Sequence, residues 1–313
     1  WFESNTAHQI PMYIKKKFYY RIERLAKKFI KLYKKNSKNK DLVNSIQKAI
    51  YETSDKEKII FLNKNKQKYL VHTNDIVSKE MFINYQFDFK KLKKAVKLLG
   101  KNHKRETLLN IGGMIGSICI KSVKENFFKS AIVFEPAKIN FRLLMANIFI
   151  NGLEDKIKAY QLALSSKKTL SKLVFTKGHL GHSRLLIKNN SQKNSEFEKV
   201  KSDKLDNFTS KLNKKNTLIF MDVEGHEPYV LKGGRKTIKK QIPIVLEFYP
   251  HLLDKNWIAN FDLLFKNYKY FFNLRDKEPV PIKLNEDALK KLFNNLFSHG
   301  KNGIDAYTDL LII

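Results

Sequence analysis

From residue 105 onward, short apolar runs alternate with stretches of helical periodicity, and no other feature restricts the fold as much. Thr107–Ile111, Ala131–Phe134, Ile157–Leu164, Leu170–Thr176, Thr217–Val223, Ile244–Phe248, Lys269–Leu274 and Tyr307–Ile313 read as strands. Ile115–Asn126, Ile139–Asn151, Tyr229–Lys240 and Leu252–Phe265 read as helices. Strands alternating with helices of about ten to fifteen residues imply βαβ units, hence an α/β fold with a largely parallel sheet covered on both faces. Asn189–Ser202 is polar, rich in Lys and Ser, and reads as a loop.

The first hundred residues have a different character. Residues 11–35 predict an amphipathic helix, with Ile14, Phe18, Ile22, Leu25, Phe29 and Leu32 on one face and lysines over much of the rest. Such a face packs on protein or lies on an anionic membrane, and the pattern does not choose. A polar break at Asn36–Lys40 precedes a short helix near Asp41–Glu52. Ile59–Leu62 and Lys68–Val71 flank a polar turn and predict a hairpin. Phe89–Leu99 is helical, with Gly100 at the C-cap position. The expected division is a basic, mostly helical extension at 1–100 and an α/β domain at 101–313.

The chain of 313 residues carries 61 Lys+Arg against 30 Asp+Glu, a formal charge of +31. Charge of that size invites a polyanionic partner. Arginine is scarce, however, and Arg is the usual reader of bases and phosphates. Nucleic acid is therefore not the favoured partner. Hydrophobic residues make up 42%, enough for a core, so disorder is excluded. One cysteine, Cys119, excludes an intrachain disulfide framework and a Cys-based zinc site. No apolar run approaches the roughly 18 residues of a membrane span.

Three motifs carry chemistry. Asn110-Ile-Gly112-Gly113-Met-Ile-Gly116 joins a strand to a helix. Its glycines permit a tight turn and close approach of a ligand, and the helix start offers amides to an anion. Glu135-Pro136 ends the next strand, where a carboxylate can accept both hydroxyls of a ribose. The glycine spacing does not fit Gly-x-Gly-x-x-Gly, which argues against a nicotinamide dehydrogenase. Met221-Asp222-Val-Glu224-Gly225-His226-Glu227 crowds ionisable groups at the carboxyl end of a strand, where open α/β sheets bind ligands.

Taken together, LLNIGGMIGSICI (from Leu108), VFEPAKINFRLLMANIFINGL (133–153), QLALSS (161–166), MDVEGHEPYVLKGG (221–234) and PIVLEFYP (243–250) resemble the FkbM family of S-adenosyl-L-methionine-dependent methyltransferases. The resemblance implies a class I methyltransferase (Rossmann-like) fold, a seven-stranded, mostly parallel sheet with an antiparallel last strand. It implies O-methylation of a hydroxyl, commonly on sugars, polyketides or related metabolites. By position, Asn110, Gly112, Gly113 and Gly116 would line the methionine part of the cofactor. Glu135, followed by Pro136, would bind its ribose, Asn140 would lie behind that site, and Gln161–Ala163 would border the adenine. Asp222, Glu224 and His226 would sit near the transferable methyl. Where the family usually has Ala-Asn, this chain has Gly113-Met114, which removes a polar side chain.

A hydroxyl becomes a good nucleophile when a base takes its proton, and either His226 or Asp222 could serve, with Glu224 orienting. No metal is expected, because Asp222 and Glu247 supply only two hard ligands. His179 and His182 flank an expected loop over the site, with a role in acceptor contact if any. The favoured partner is a small-molecule, sugar or glycan-like acceptor. The alternatives are a nucleic-acid methyltransferase, or a non-catalytic membrane- or partner-binding protein on the same fold. Peripheral membrane contact through residues 11–35, a homo-oligomer, and a cytoplasmic location complete the expectations.

Overall fold

A computed structural model describes residues 24, 25, 27, 28, 31, 35, 39–54, 58–64, 66–73, 75–176, 179–186, 197–300 and 306–313, with backbone alone at 176 and 179–182. Two compact units emerge, Trp1–Ser54 and Asp55–Ile313. The expected helix over 11–35 lies almost wholly outside the described residues. In the first unit, α1 (Lys40–Thr53) starts at Asn39, whose side chain accepts from the Leu42 amide.

The second unit begins with β1 (Ile59–Lys64) and β2 (Gln67–His72), the expected hairpin, followed by α2 (Ile76–Asn84) and α3 (Phe89–Leu99). Then come β3 (Thr107–Ile111), α4 (Ser117–Lys124), β4 (Ser130–Phe134), α5 (Lys138–Ile150), β5 (Ile157–Tyr160) and β6 (Ala163–Leu164). A run of strands follows: β7 (Thr169–Thr176), β8 (His179–Leu185), β9 (Phe197–Asp203) and β10 (Thr217–Met221). The chain closes with α6 (Glu227–Gly233), α7 (Arg235–Lys239), β11 (Ile244–Phe248), α8 (Trp257–Asn267), β12 (Tyr270–Asn273), β13 (Ile282–Lys283), α9 (Glu286–Ser298) and β14 (Thr308–Ile312).

Eight strands form the main sheet in the order β13-β12-β14-β11-β10-β3-β4-β5. The five from β5 to β11 are parallel, and β14 enters antiparallel between β11 and β12. The expected seven strands are thus joined by an eighth, the two-residue edge strand β13, antiparallel to β12. Strand β10 is buried throughout, as a central parallel strand should be. Its alternate residues feed two cores: Leu218 and Phe220 join Leu108, Val133 and Val245, while Ile219 and Met221 join Leu109, Ile111 and Leu246.

The sequence reading departs from the structure at several elements. Ile157–Leu164 is not one strand; β5 and β6 belong to different sheets. The polar stretch read as a loop over 189–202 ends in β9, which pairs with β7 and β6. His179 and His182, expected to flank a loop over the site, both fall in strand β8, and their side chains lie outside the described part. The helix expected at 229–240 is split at Gly234 into α6 and α7. Helix α9 was not anticipated.

Residues 58–100 do not stand apart from the sheet-bearing unit. Tyr69, Val71, Met81, Phe89 and Leu92 share a core with Leu108, Val133 and Phe220. Two asparagines one helical turn apart, Asn147 on α5 and Asn151 at its C-cap, also tie the hairpin down. Asn147 accepts from the Leu70 amide at 2.6 Å and donates to its carbonyl at 3.1 Å. Asn151 does the same for Lys68 at 3.1 and 2.6 Å. Side-chain amides thereby satisfy backbone groups of β2 that would otherwise form an open edge.

Candidate active site

The carboxyl ends of β3, β4, β10 and β11 open on a cavity of about 340 Å³. Helix α3, strand β8 and the segment before β14 complete its wall through Asp88, Lys91, Leu185 and Tyr307. A volume in this range suits an enclosed small ligand.

After β3 the backbone turns at Gly112, with φ +85°, and the next residues start α4. A Cβ on Gly112 would stand 1.8 Å from the backbone oxygen of Asp222, so this turn and the end of β10 approach more closely than any other residue allows. Met114 adopts the left-handed region at φ +45°, a costly conformation for such a side chain. It thereby aims its amide at Glu135, with nitrogen and Oε2 2.7 Å apart. The other oxygen of Glu135 accepts from the Ala137 amide at 2.9 Å. Burial pushes this carboxyl up to about 7, against the pull of those two amides and of Asn140. A carboxylate has about four acceptor positions, so with these three donors Glu135 keeps capacity for about one hydroxyl.

Across the cavity, β10 ends in the Asp222–Glu227 turn. Glu224 and Gly225 both take left-handed conformations, at φ +55° and +85°. Strain of this kind in a non-glycine residue is held by its surroundings and gathers at functional sites. The turn is fixed by Glu227, whose Oε1 accepts the Val223 amide at 2.9 Å. Oxygens of Asp222, Glu224 and Glu247 lie within 4.8 Å of one another. Burial raises Asp222 well above the ordinary carboxylate range, and Glu224 raises it further. Glu247 is raised by burial and then by Asp222, and among the described residues its Oε2 has no hydrogen-bond partner. Such close carboxylates share protons and titrate as a group. Their geometry is also that of hard oxygen donors, which could hold a divalent cation.

His226 has a different setting. It is buried, its ring stacks on Tyr229 at 4.8 Å, and Nε2 lies 2.9 Å from Ser165 Oγ. Burial lowers it to about 4, so the ring is neutral at physiological pH.

Of the residues singled out by sequence, Gly112, Gly113, Glu135, Pro136, Asn140, Ala163, Asp222, Glu224 and His226 meet on the cavity wall. Asn110, Gly116 and Gln161 do not. Asn110 is buried and donates to the Gly112 carbonyl at 3.3 Å, which stiffens the turn from behind. Gly116 starts α4 and packs against Ile120 and Leu144. Gln161 is exposed, and Leu162 takes the wall position expected for it.

Sequence reasoning missed Asp88, Lys91, Tyr307 and Asp309. Lys91 Nζ bridges Asp88 and Asp309 at 2.9 Å each. Burial alone would lower Lys91, but Asp309, Asp88 and Asp222 outweigh it and keep the ammonium charged. Asp309 rises by burial to about 6. The available signal was an aspartate at the second position of an otherwise apolar terminal strand, an expensive group to bury without a cation.

Among solved structures, M. jannaschii TYW2 in complex with AdoMet is 12% identical, covers 83% of this chain and 87% of its own, and has a TM-score of 0.38. A putative tRNA (m1A22) methyltransferase of Streptococcus pneumoniae is 14% identical, with 71% and 68% covered and a TM-score of 0.36. Precorrin-6y C5,15-methyltransferase of Geobacter metallireducens GS-15 is 8% identical, with 71% and 86% covered and a TM-score of 0.35. No curated protein matches the sequence. The model of the methyltransferase FkbM domain matches residues 110–291, more than half of the chain, from the glycine turn through the Asp222–Glu227 turn and into α9. The cofactor of this chain is S-adenosyl-L-methionine, and the chain belongs to the FkbM methyltransferase family.

Proposed function

We propose that this protein transfers a methyl group from S-adenosyl-L-methionine to a hydroxyl of a sugar, glycan-like or other small acceptor. One observation carries the reading: a glycine turn, a buried carboxylate with spare acceptor capacity and a basic carboxylate cluster face a single cavity at the strand ends. When bound, the cofactor supplies a methyl carbon already activated by a sulfonium. The Gly112–Met114 turn would border its methionine part, and Glu135 would hold a ribose hydroxyl. Pro136, Asn140, Leu162 and Ala163 would border the nucleoside.

The remaining task belongs to the acceptor side. Alignment of the hydroxyl in the cavity can supply about 7–11 kcal/mol of the barrier. Asp222 is the better base, because burial and Glu224 raise its affinity for a proton, whereas His226 is held neutral and weakly basic by its burial. Glu224 and Glu247 would orient the hydroxyl and keep Asp222 basic. Lys91, locked between Asp88 and Asp309, would limit the negative field around the cluster.

The test supplies methyl-labelled S-adenosyl-L-methionine with a panel of sugars, hydroxylated metabolites, amines and RNA. Label is expected on a hydroxyl-bearing acceptor. Transfer to amines alone would reject the hydroxyl reading, and transfer to RNA alone would reject the small acceptor, while either leaves the methyltransferase intact.

A further inference from the structure

A second concavity, of about 700 Å³, lies along the outer side of α3. Lys90, Lys93, Lys94 and Lys97 line it from the helix, and Lys277 faces them from the loop after β12. Glu278 is the one carboxylate on this wall among the described residues. The lysines arise from the helical period: Phe89, Leu92, Ala95 and Val96 face the core, which turns the intervening positions outward. Leu98 and Pro279 add apolar surface, and among the described residues neither an aromatic ring nor an arginine lines the groove.

The groove and the catalytic cavity share two elements. Lys91 on α3 points into the cavity, and Lys97 lies six residues further along the same helix, about 9 Å at helical rise. The loop after β12 is clamped to α3 by Lys94, which donates to the carbonyls of Leu274 and Asp276 at 2.7 Å each. In that loop Arg275 lies 3.8 Å from the ring centre of Tyr307, a cavity residue. The two concavities thus border the same helix and the same loop, although they share no lining residue. Their charges are opposite: carboxylates dominate around Asp222, lysines along the groove. An anionic group is repelled at the first place and attracted at the second, which fixes the direction in which a bipolar ligand lies.

We propose that the lysine groove is an anion subsite, which holds a phosphate-bearing part of the acceptor while its hydroxyl end reaches Asp222. This rests on the proposed methyl transfer for its purpose, but not for its measurement. Lysine ammoniums suit phosphate as point charges. The absence of rings to stack bases favours a phosphorylated sugar or metabolite over a nucleic-acid strand.

The test measures binding of inorganic tripolyphosphate to the full chain by calorimetry, beside the variant K90A/K97A/K277A. These three lysines are exposed and hold no structural bond that the cavity needs. The wild type is expected to bind with an affinity that falls as salt rises, and the variant to lose about tenfold or more. S-adenosyl-L-methionine affinity, measured on the same two proteins, is expected to be equal, which shows the variant folded. Equal tripolyphosphate binding by both proteins would place anions elsewhere on the +31 surface and overturn the subsite. A short uridine oligonucleotide that binds about a hundredfold tighter than tripolyphosphate, and loses that advantage in the variant, would replace the phosphorylated acceptor with nucleic acid. Loss of cofactor binding by the wild type with the groove still selective would count against the methyltransferase reading alone.

Discussion

Asp222 and His226 stand on one turn, yet their surroundings make them opposite kinds of base. Burial strips both of water; it raises the carboxylate's hold on a proton and weakens the imidazole's. Asp222→Asn is expected to cut methyl transfer by about 100- to 10,000-fold with cofactor affinity nearly unchanged, whereas His226→Gln, which can keep the bond to Ser165, should cost less than about tenfold. A steady-state assay of both variants checks the assignment; the reverse order of effects would return the role to His226. The same burial has a consequence for stability. The folded state holds His226 near 4, below the ordinary value of 6.5, so its contribution is present above pH 6.5 and lost as pH falls toward 4. That group should account for up to about 3 kcal/mol over the window. Thermal or urea unfolding from pH 7 to pH 4 should therefore show a shallower acid loss in His226→Gln than in the wild type.

At the scale of elements, the site depends on strand ends that touch. Gly112→Ala would drive a methyl into the Asp222 carbonyl and demand a left-handed conformation as well. It should lower stability by at least about 2 kcal/mol and remove cofactor binding, read by melting and calorimetry. The glycine turn, Glu135-Pro136 and the Asp222–Glu227 turn were legible because each is a contiguous stretch at the end of a strongly apolar strand. The acceptor side was not, because it is assembled from afar. Lys91 is one lysine among several in FKKLKKAVKLL, and only the packing of Phe89 and Leu92 turns it inward. Its partner Asp309 is more than two hundred residues away. Strand β9 escaped notice because it is mostly charged and polar and buries only Val200 and Ser202.

On the scale of the molecule, the parallel sheet and its helices followed from periodicity, and the antiparallel final strand from the family resemblance. The place of the hairpin did not follow, since the bonds of Asn147 and Asn151 to β2 have no local signature. Those contacts put residues 58–100 in one unit with the sheet. A chain of residues 55–313 is accordingly expected to unfold in one transition and to bind cofactor as the full chain does; calorimetry on both lengths checks this. Among the described residues no helix is long and apolar enough to cross a membrane.

The most direct test of the account is calorimetric titration of the full chain with S-adenosyl-L-methionine and its demethylated product, beside Glu135→Ala. The variant loses the carboxylate that braces the Met114 amide and would hold the ribose. The account predicts micromolar binding by the wild type and a loss of at least about tenfold in the variant, equivalent to about 1.4 kcal/mol. A folded wild type that binds neither compound, or a variant that binds as tightly as the wild type, would contradict it.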